Sequence, residues 1–305
     1  MKAEKKKKEK KYKNSRAEWI CIIVLCTPAI LHLLIFWLGV QVETIRMAFT
    51  DVYTGLGSLT NFDWAFRNLF AGASSSDISL ALRNTVLFFL QGCVMIPISM
   101  FFAYLIYRKS FGYGFMRVAL YLPGAISSIM MALLYAKLME SGGPLMQLIQ
   151  KATGSAEPIM FKIEHGLLYI MLFDLLVGIG ANLVIWLGGM SRIPYDLIEY
   201  GKLEGVGPIR EFVSVILPLI WPTFVTMVSL QIINLFGSTG SVLILTDGQY
   251  GTTTLAFWMY KMVQAGLSNE YHHVAALGLI FTVITIPLVI ICRWIMNHFG
   301  EEVEY

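Results

Sequence analysis

Residues 19–40 read WICIIVLCTPAILHLLIFWLGV, a run without a single Asp, Glu, Lys or Arg. A helix rises about 1.5 Å per residue, so about 20 apolar residues match the ~30 Å hydrocarbon core of a bilayer. In that solvent every backbone N–H and C=O must find a partner inside the protein, which favours helices over an open sheet. Further runs of the same character follow at 86–106, 118–136, 166–190, 212–236 and 274–291, and only the fourth of the six holds a charged residue, Asp174. Hydrophobic residues make up 56% of the 305, charged residues 14%, and mean hydropathy is +0.65. A soluble domain of this length needs far more charge on its surface. The expected fold class is an all-α polytopic membrane protein with six transmembrane helices.

Outward from the first run, residues 1–18 form a lysine-rich tail. The run behind it reaches about 20 residues and no small-x-small cleavage site follows, so it reads as a retained span rather than a signal peptide. The lysines suit a solvated topology signal better than a lipid or nucleic-acid site, and no nucleic-acid partner is expected. With the N-terminus inside, sixteen of the 23 lysines and arginines fall on the inner side and seven on the outer; nine of the sixteen belong to the tail. Both termini are then cytoplasmic, the last piece being 298–305. The four cysteines, Cys21, Cys26, Cys93 and Cys292, fall in or beside the apolar runs and are expected as apolar packers.

Catalytic signatures are missing. The one Gly-Lys pair, Gly201-Lys202, is followed by Leu203 and lacks the upstream glycine of a phosphate loop. The five histidines have no His-Glu-x-x-His spacing, and His272-His273 reads as an interfacial pair. No Gly-x-Ser-x-Gly elbow occurs. The chain is not expected to be an enzyme, to hold a metal or to bind a cofactor. If it does work, a partner supplies the energy.

Between the fourth and fifth runs lies DLIEYGKLEGVGPIREFVSVILPLIWP, residues 196–222, which opens with six charged residues in sixteen. Pro194 suits the start of a short helix, and Asp196 and Glu199 favour its positive end. Glu199 and Leu203, like Tyr200 and Glu204, share a face at i,i+4. Gly205-Val206-Gly207-Pro208 stops the helix, and Arg210 is expected to begin a second one that becomes span five, kinked by Pro218 and Pro222. A short polar helix fixed to a transmembrane helix can transmit force.

This segment resembles the cytoplasmic loop of binding-protein-dependent ABC importer permeases of the sugar, maltose-permease-like type. That loop reads Glu-Ala-Ala, three residues, Gly, nine residues, Ile-x-Leu-Pro. Glu199, Gly205, Val215 and Leu217-Pro218 match it, while Tyr200 and Gly201 replace the alanines, Glu204 the usual aspartate and Val206 the usual alanine. Asn84-Thr85, RVALYLPGAIS at 117–127, LTDGQYGTTTLAFWMYKMV at 245–263 and YHHVAALGLIFTVI at 271–284 resemble further parts of such chains. The resemblance covers residues 19–297.

The resemblance implies a type I importer transmembrane domain in a bacterial cytoplasmic (inner) membrane. Implied partners are a second homologous permease, two ABC ATPase subunits that bind ATP and Mg, and an extracellular or periplasmic solute-binding protein. The loop at 191–211 would dock on the ATPase through Glu199, Tyr200, Gly201, Lys202, Leu203, Glu204 and Gly205. A non-sugar solute is the alternative. A secondary carrier fits less well, since it calls for inverted repeats and several buried ionisable groups.

Polar residues inside the spans are the candidates for a solute path: Asp174, Asn182, Gln231 and Asn234, the last two at i,i+3. Such residues serve helix association as readily as ligand binding. Trp186, Trp221 and Trp258 could stack on sugars but read better as belt residues. The external pieces, 41–83, 140–165 and 237–271, are long enough to receive a binding protein. AGASSSD at 71–77 reads as a loop and SGGPLMQLIQKATG at 141–154 as a turn and a rim helix.

Overall fold

Four of the six apolar runs form unbroken helices long enough to cross a bilayer, and two form pairs of helices bent at a short break. The computed structural model describes residues 16–70, 76–140, 142–153, 165–194, 196–203 and 205–299. Residues 1–15 of the basic tail, 71–75 of the expected loop, Glu204 and 300–305 lie outside the described residues. In chain order the helices are α1 (Trp19–Ala48), α2 (Thr60–Phe70), α3 (Ser76–Tyr107), α4 (Tyr113–Ala125), α5 (Ser128–Met139), α6 (Pro144–Thr153) and α7 (Gly166–Met190). They continue as α8 (Asp196–Leu203), α9 (Pro208–Leu219), α10 (Trp221–Phe236), α11 (Gly240–Leu245), α12 (Leu255–Ala265) and α13 (Ser268–Phe299). An isolated bridge, Thr50 to Gly57, is the only extended pairing among the described residues.

The spans run longer than hydropathy alone drew them. α1 continues past Val40 to Ala48, and α3 begins at Ser76, so Ser76 and Asp77 are helical and not part of a loop. Asp51 closes the turn after α1 by accepting the backbone N–H of Thr54 at 3.0 Å and of Tyr53 at 2.8 Å, bonds that hold its carboxyl below the usual range. Among the described residues, none in the apolar stretch of α1 is buried, and its far end packs, Ala48 meeting Ala275 and Ala276 of α13.

Span three, expected as one helix over 118–136, is two half-helices, α4 and α5, bent by 106°. The break falls at Ile126 and Ser127, whose ψ of 152° and 130° are extended, three residues after Pro123. Packing fixes α4 there. A Cβ on Gly180 of α7 would lie 2.4 Å from the Leu120 carbonyl oxygen, and one on Gly124 would lie 2.8 Å from the Ala181 nitrogen. Small residues of this kind let membrane helices approach backbone to backbone.

Span five bends by 79° between α9 and α10, at Ile220 and between the two expected prolines. Pro218 has no N–H to offer the previous turn, and the helix before it widens to a π turn over Phe212–Ile216, closed by Leu217 N–H to the Phe212 carbonyl. α9 starts at Pro208, two residues before Arg210, because proline suits a first helical position.

α3 and α7 form the centre. Met95, Met100, Tyr104, Leu183, Trp186 and Met190 pack there with Ile216 and Ile220, and Trp186 Nε1 donates to the buried Ser99 Oγ at 3.0 Å. Trp186 is thus fully buried rather than an interfacial belt residue. Toward the start of α7, Tyr135, Tyr169, Phe173, Val242, Leu245 and Phe257 make a second core.

Candidate functional site

Three sites on α3 organise the remaining polar chemistry: its Arg108 end, its middle and its Asn84 end. At the Arg108 end sits the loop that carries α8. Leu197 N–H donates to the Pro194 carbonyl at 3.2 Å, Val206 N–H donates to the Gly201 carbonyl at 2.9 Å, and Gly205 closes the turn at φ 71°, where a side chain would be strained. Asp196 and Glu199 occupy the first turn of α8, where the helix dipole favours them. Leu203 is 83% exposed and Tyr200 65%, so the helix turns two large side chains outward. Lys202 lies in α8, and Gly201 faces inward: a Cβ there would lie 3.9 Å from Glu211 Cγ.

Both ends of this loop are tied to α3. Tyr107 Oη donates to the Ile193 carbonyl at 2.8 Å, ahead of α8, and Tyr104 Oη donates to the Pro208 carbonyl at 3.0 Å, behind it. Arg108 Nη2 lies 3.2 Å from Glu211 Oε2, with Glu211 only 1% exposed. Sequence reasoning missed these four side chains. Tyr104, Tyr107 and Arg108 recur at i, i+3 and i+4 at the close of an apolar run, and Glu211 is the acid that abuts the next one. That spacing was the available signal.

In the middle of α3, a cavity of about 200 Å³ opens between α3, α7 and α10. Its polar lining is Gln91, Asp174, Asn182, Gln231 and Ser238. Three of the four residues singled out from the sequence therefore converge. Asn234 does not: it is exposed, the α-helix ends at Ile233, and a 3₁₀ turn takes over. Gln91 and Ser238 were missed, although Gln91 is as polar an interruption of its run as Asn182 is.

The cavity's side chains are held from behind. Ser241 Oγ donates to Asp174 Oδ2 at 3.0 Å, and Gln91 Nε2 donates to the Met171 carbonyl at 2.6 Å, leaving Gln91 Oε1 unpartnered. Gln231 Nε2 reaches the Phe89 carbonyl at 3.5 Å across Gly92, where a Cβ would lie 1.8 Å from that nitrogen. The absence of a side chain at position 92 makes room for the Gln231 amide. Among the described lining residues there is one carboxylate and no Lys, Arg or His. Amides, a hydroxyl and a carboxylate offer donors and acceptors of the kind that exchange with hydroxyl groups.

At the Asn84 end, two segments singled out by resemblance meet. Asn84 Nδ2 donates to the carbonyls of Gly251 and Thr253, both at 2.8 Å, and Leu255 N–H donates to Thr85 Oγ1 at 3.0 Å. Thr254 Oγ1 donates to the carbonyl of Ser238, a cavity residue, at 2.5 Å and also caps α12 through Phe257 N–H. The segment between α10 and α12 is thereby fastened both to α3 and to the cavity's edge.

Other expectations resolve locally. His273 stacks on Trp64 with centroids 4.0 Å apart, Trp258 lies parallel to Trp64 at 6.3 Å, and Trp221 Nε1 donates to the Met296 carbonyl at 3.0 Å. Cys21, Cys26 and Cys93 are exposed on this chain, not packed in its core, and Cys292 is half-buried.

Residues 81–305 match the family of binding-protein-dependent transport system inner membrane components. The chain belongs to that family. This inner membrane component is 28% identical over 261 residues to the probable starch degradation products transport system permease protein AmyD of Thermoanaerobacterium thermosulfurigenes, covering 81% of this chain and 82% of the relative. It is 22% identical to the arabinooligosaccharides transport system permease protein AraP of Bacillus subtilis (strain 168), covering 90% and 88%. In fold it is similar to a chain of a bacterial ABC transporter involved in the import of the acidic polysaccharide alginate. The TM-score is 0.77 at 17% identity, over 93% of this chain and 97% of that one.

Proposed function

We propose that this inner membrane component is one permease half of an ATP-driven importer for an oligosaccharide. Its relatives AmyD and AraP, named for starch degradation products and arabinooligosaccharides, support the carbohydrate class. The solute path runs past Gln91, Asp174, Asn182 and Gln231, and a second, similar permease supplies the facing wall. A separate solute-binding protein delivers the solute. Both termini and the 191–211 loop face the cytoplasm, residues 1–18 and 298–305 being tails to the 19–297 transmembrane domain.

The observation that carries the proposal is the mounting of α8, an eight-residue helix fixed to α3 at both ends while it turns Leu203 and Tyr200 outward. Exposed apolar side chains on a rigid support suit a partner's cleft. That partner is the ATPase, which binds ATP and Mg, and its closure moves α8. Glu199, exposed on the same helix, adds a polar anchor. The test is ATP hydrolysis by the complete transporter in lipid vesicles, with its binding protein and a panel of solutes. Stimulation by one class of neutral oligosaccharide is expected; stimulation by peptides or metal ions alone would assign another solute.

A further inference from the structure

Arg108 and Glu211 form a buried ion pair with an unusual defect. The contact at 3.2 Å joins one oxygen to one Nη, the Tyr104 hydroxyl also lies against the carboxylate, and Arg108 Nε is left without a hydrogen-bond partner. Buried charges without their full set of hydrogen bonds add little to stability, and an apolar pair of similar volume packs as well or better. The best-attested use of such a pair is to fix the register of two elements or to switch between arrangements. The elements joined here are the end of α3 and the start of α9, which is where the α8 loop rejoins the membrane domain.

We propose that Arg108 and Glu211 are positioning residues of the transport cycle, the charged latch by which movement of α8 is passed to α3. This rests on the reading of α8 as the ATPase-docking helix. The two tyrosines supply the rest of the clamp. Tyr107 holds the chain entering α8, Tyr104 holds the chain leaving it, and both lie within a turn or so of Arg108 on α3. Gly201 of α8 faces Glu211, with room between them for no more than a methyl group. A push on α8 therefore has a short, stiff route into α3. That same helix carries Gln91 and Gly92, which shape one wall of the cavity and seat Gln231. Two facing charges with spare bonding capacity can slide or re-pair as the loop shifts, which saturated neutral bonds resist.

The complete transporter in vesicles tests this, read as solute imported per ATP hydrolysed, with melting temperature and ATPase copurification measured alongside. The double variant Arg108→Met/Glu211→Leu keeps volume and removes both charges. It is expected to melt at or above the parent's temperature, to retain the ATPase and to hydrolyse ATP, while import per ATP falls roughly tenfold, the scale of a coupling between two sites. Arg108→Lys, which keeps the charge, should stay within about threefold of the parent on that scale. A double variant that imports as much per ATP as the parent overturns the latch, as does a loss that merely tracks melting temperature or ATPase copurification. A Leu203→Cys cross-link in the otherwise parental transporter separates the two ideas. No capture of the ATPase there sinks the docking reading and the latch with it; capture together with a fully coupled double variant sinks the latch alone.

Discussion

The Asn84 end of α3 is held by neutral hydrogen bonds alone, whereas the Arg108 end adds a buried ion pair to its two tyrosine bonds. Asn84 gives both amide hydrogens to loop carbonyls, and Thr85 both donates, to the Ala81 carbonyl at 2.8 Å, and accepts. No atom of either residue is among the buried polar atoms left without a partner, but Arg108 Nε is. A bond network with nothing spare has one good arrangement, and a network with a spare donor has more than one. The contrast suggests a helix moored at one end and latched at the other, with the polar cavity between.

The largest effect is expected where the mooring is cut. Asn84→Leu strands the carbonyls of Gly251 and Thr253 in a partly buried site, at a cost of about 3 kcal/mol for the pair. Melting temperature should drop, and import and ATP hydrolysis should fall together, because the segment from Gly240 to Ala265 loses its seat. An Asn84→Leu transporter that melts normally but imports less per ATP would mean that this end moves as well, and the contrast between the ends would be gone.

Next in size is the loss of the partner at the latched end. Leu203→Asp changes a side chain that is 83% exposed, so stability should stay within about 0.5 kcal/mol of the parent. Affinity for the ATPase should fall about tenfold or more, as for the truncation of an interface anchor. Copurification in mild detergent measures it directly. Glu199→Lys should weaken the same contact, by less, since a rim charge acts mainly on association. If neither change touches copurification, the outward face of α8 is not the docking face.

Much of this was legible in the chain because membrane helices advertise themselves by length and apolarity. The six runs, the bounds of α8 and the bend between Pro218 and Pro222 all follow from local rules. The bend between α4 and α5 does not. Pro123 lies inside α4, and the break comes at Ile126 and Ser127, just past the point where Gly124 and Gly180 press two backbones together. Asp174, Asn182 and Gln231 stood out as polar residues in oil, but so did Asn234, and only tertiary packing separates the last from the rest. The latch was only faintly legible, for a different reason: the spacing of Tyr104, Tyr107 and Arg108 marks one face but names no partner. Arg108 and Glu211 each look like ordinary charges at the rim of a span, and only the folded chain brings them together.

Gln231 and Asn234 give the finest test, because they differ by one helical turn and share a chemistry. Gln231→Leu removes an amide from the cavity wall, where one hydrogen bond is worth about 1 kcal/mol, so the KM for import should rise about fivefold with assembly unchanged. Gly92→Ala should mimic it while keeping the amide in the chain, since the new methyl group claims the position that Gln231 Nε2 occupies and pushes the amide aside. Asn234→Leu alters an exposed residue outside the cavity lining, and its effect should stay under about 0.5 kcal/mol. The order matters more than the sizes. If Asn234→Leu shifts import kinetics and Gln231→Leu does not, solute passes along the outer face of α10. The cavity against α3 would then be a packing defect, and a latch that moves α3 would have nothing to act on.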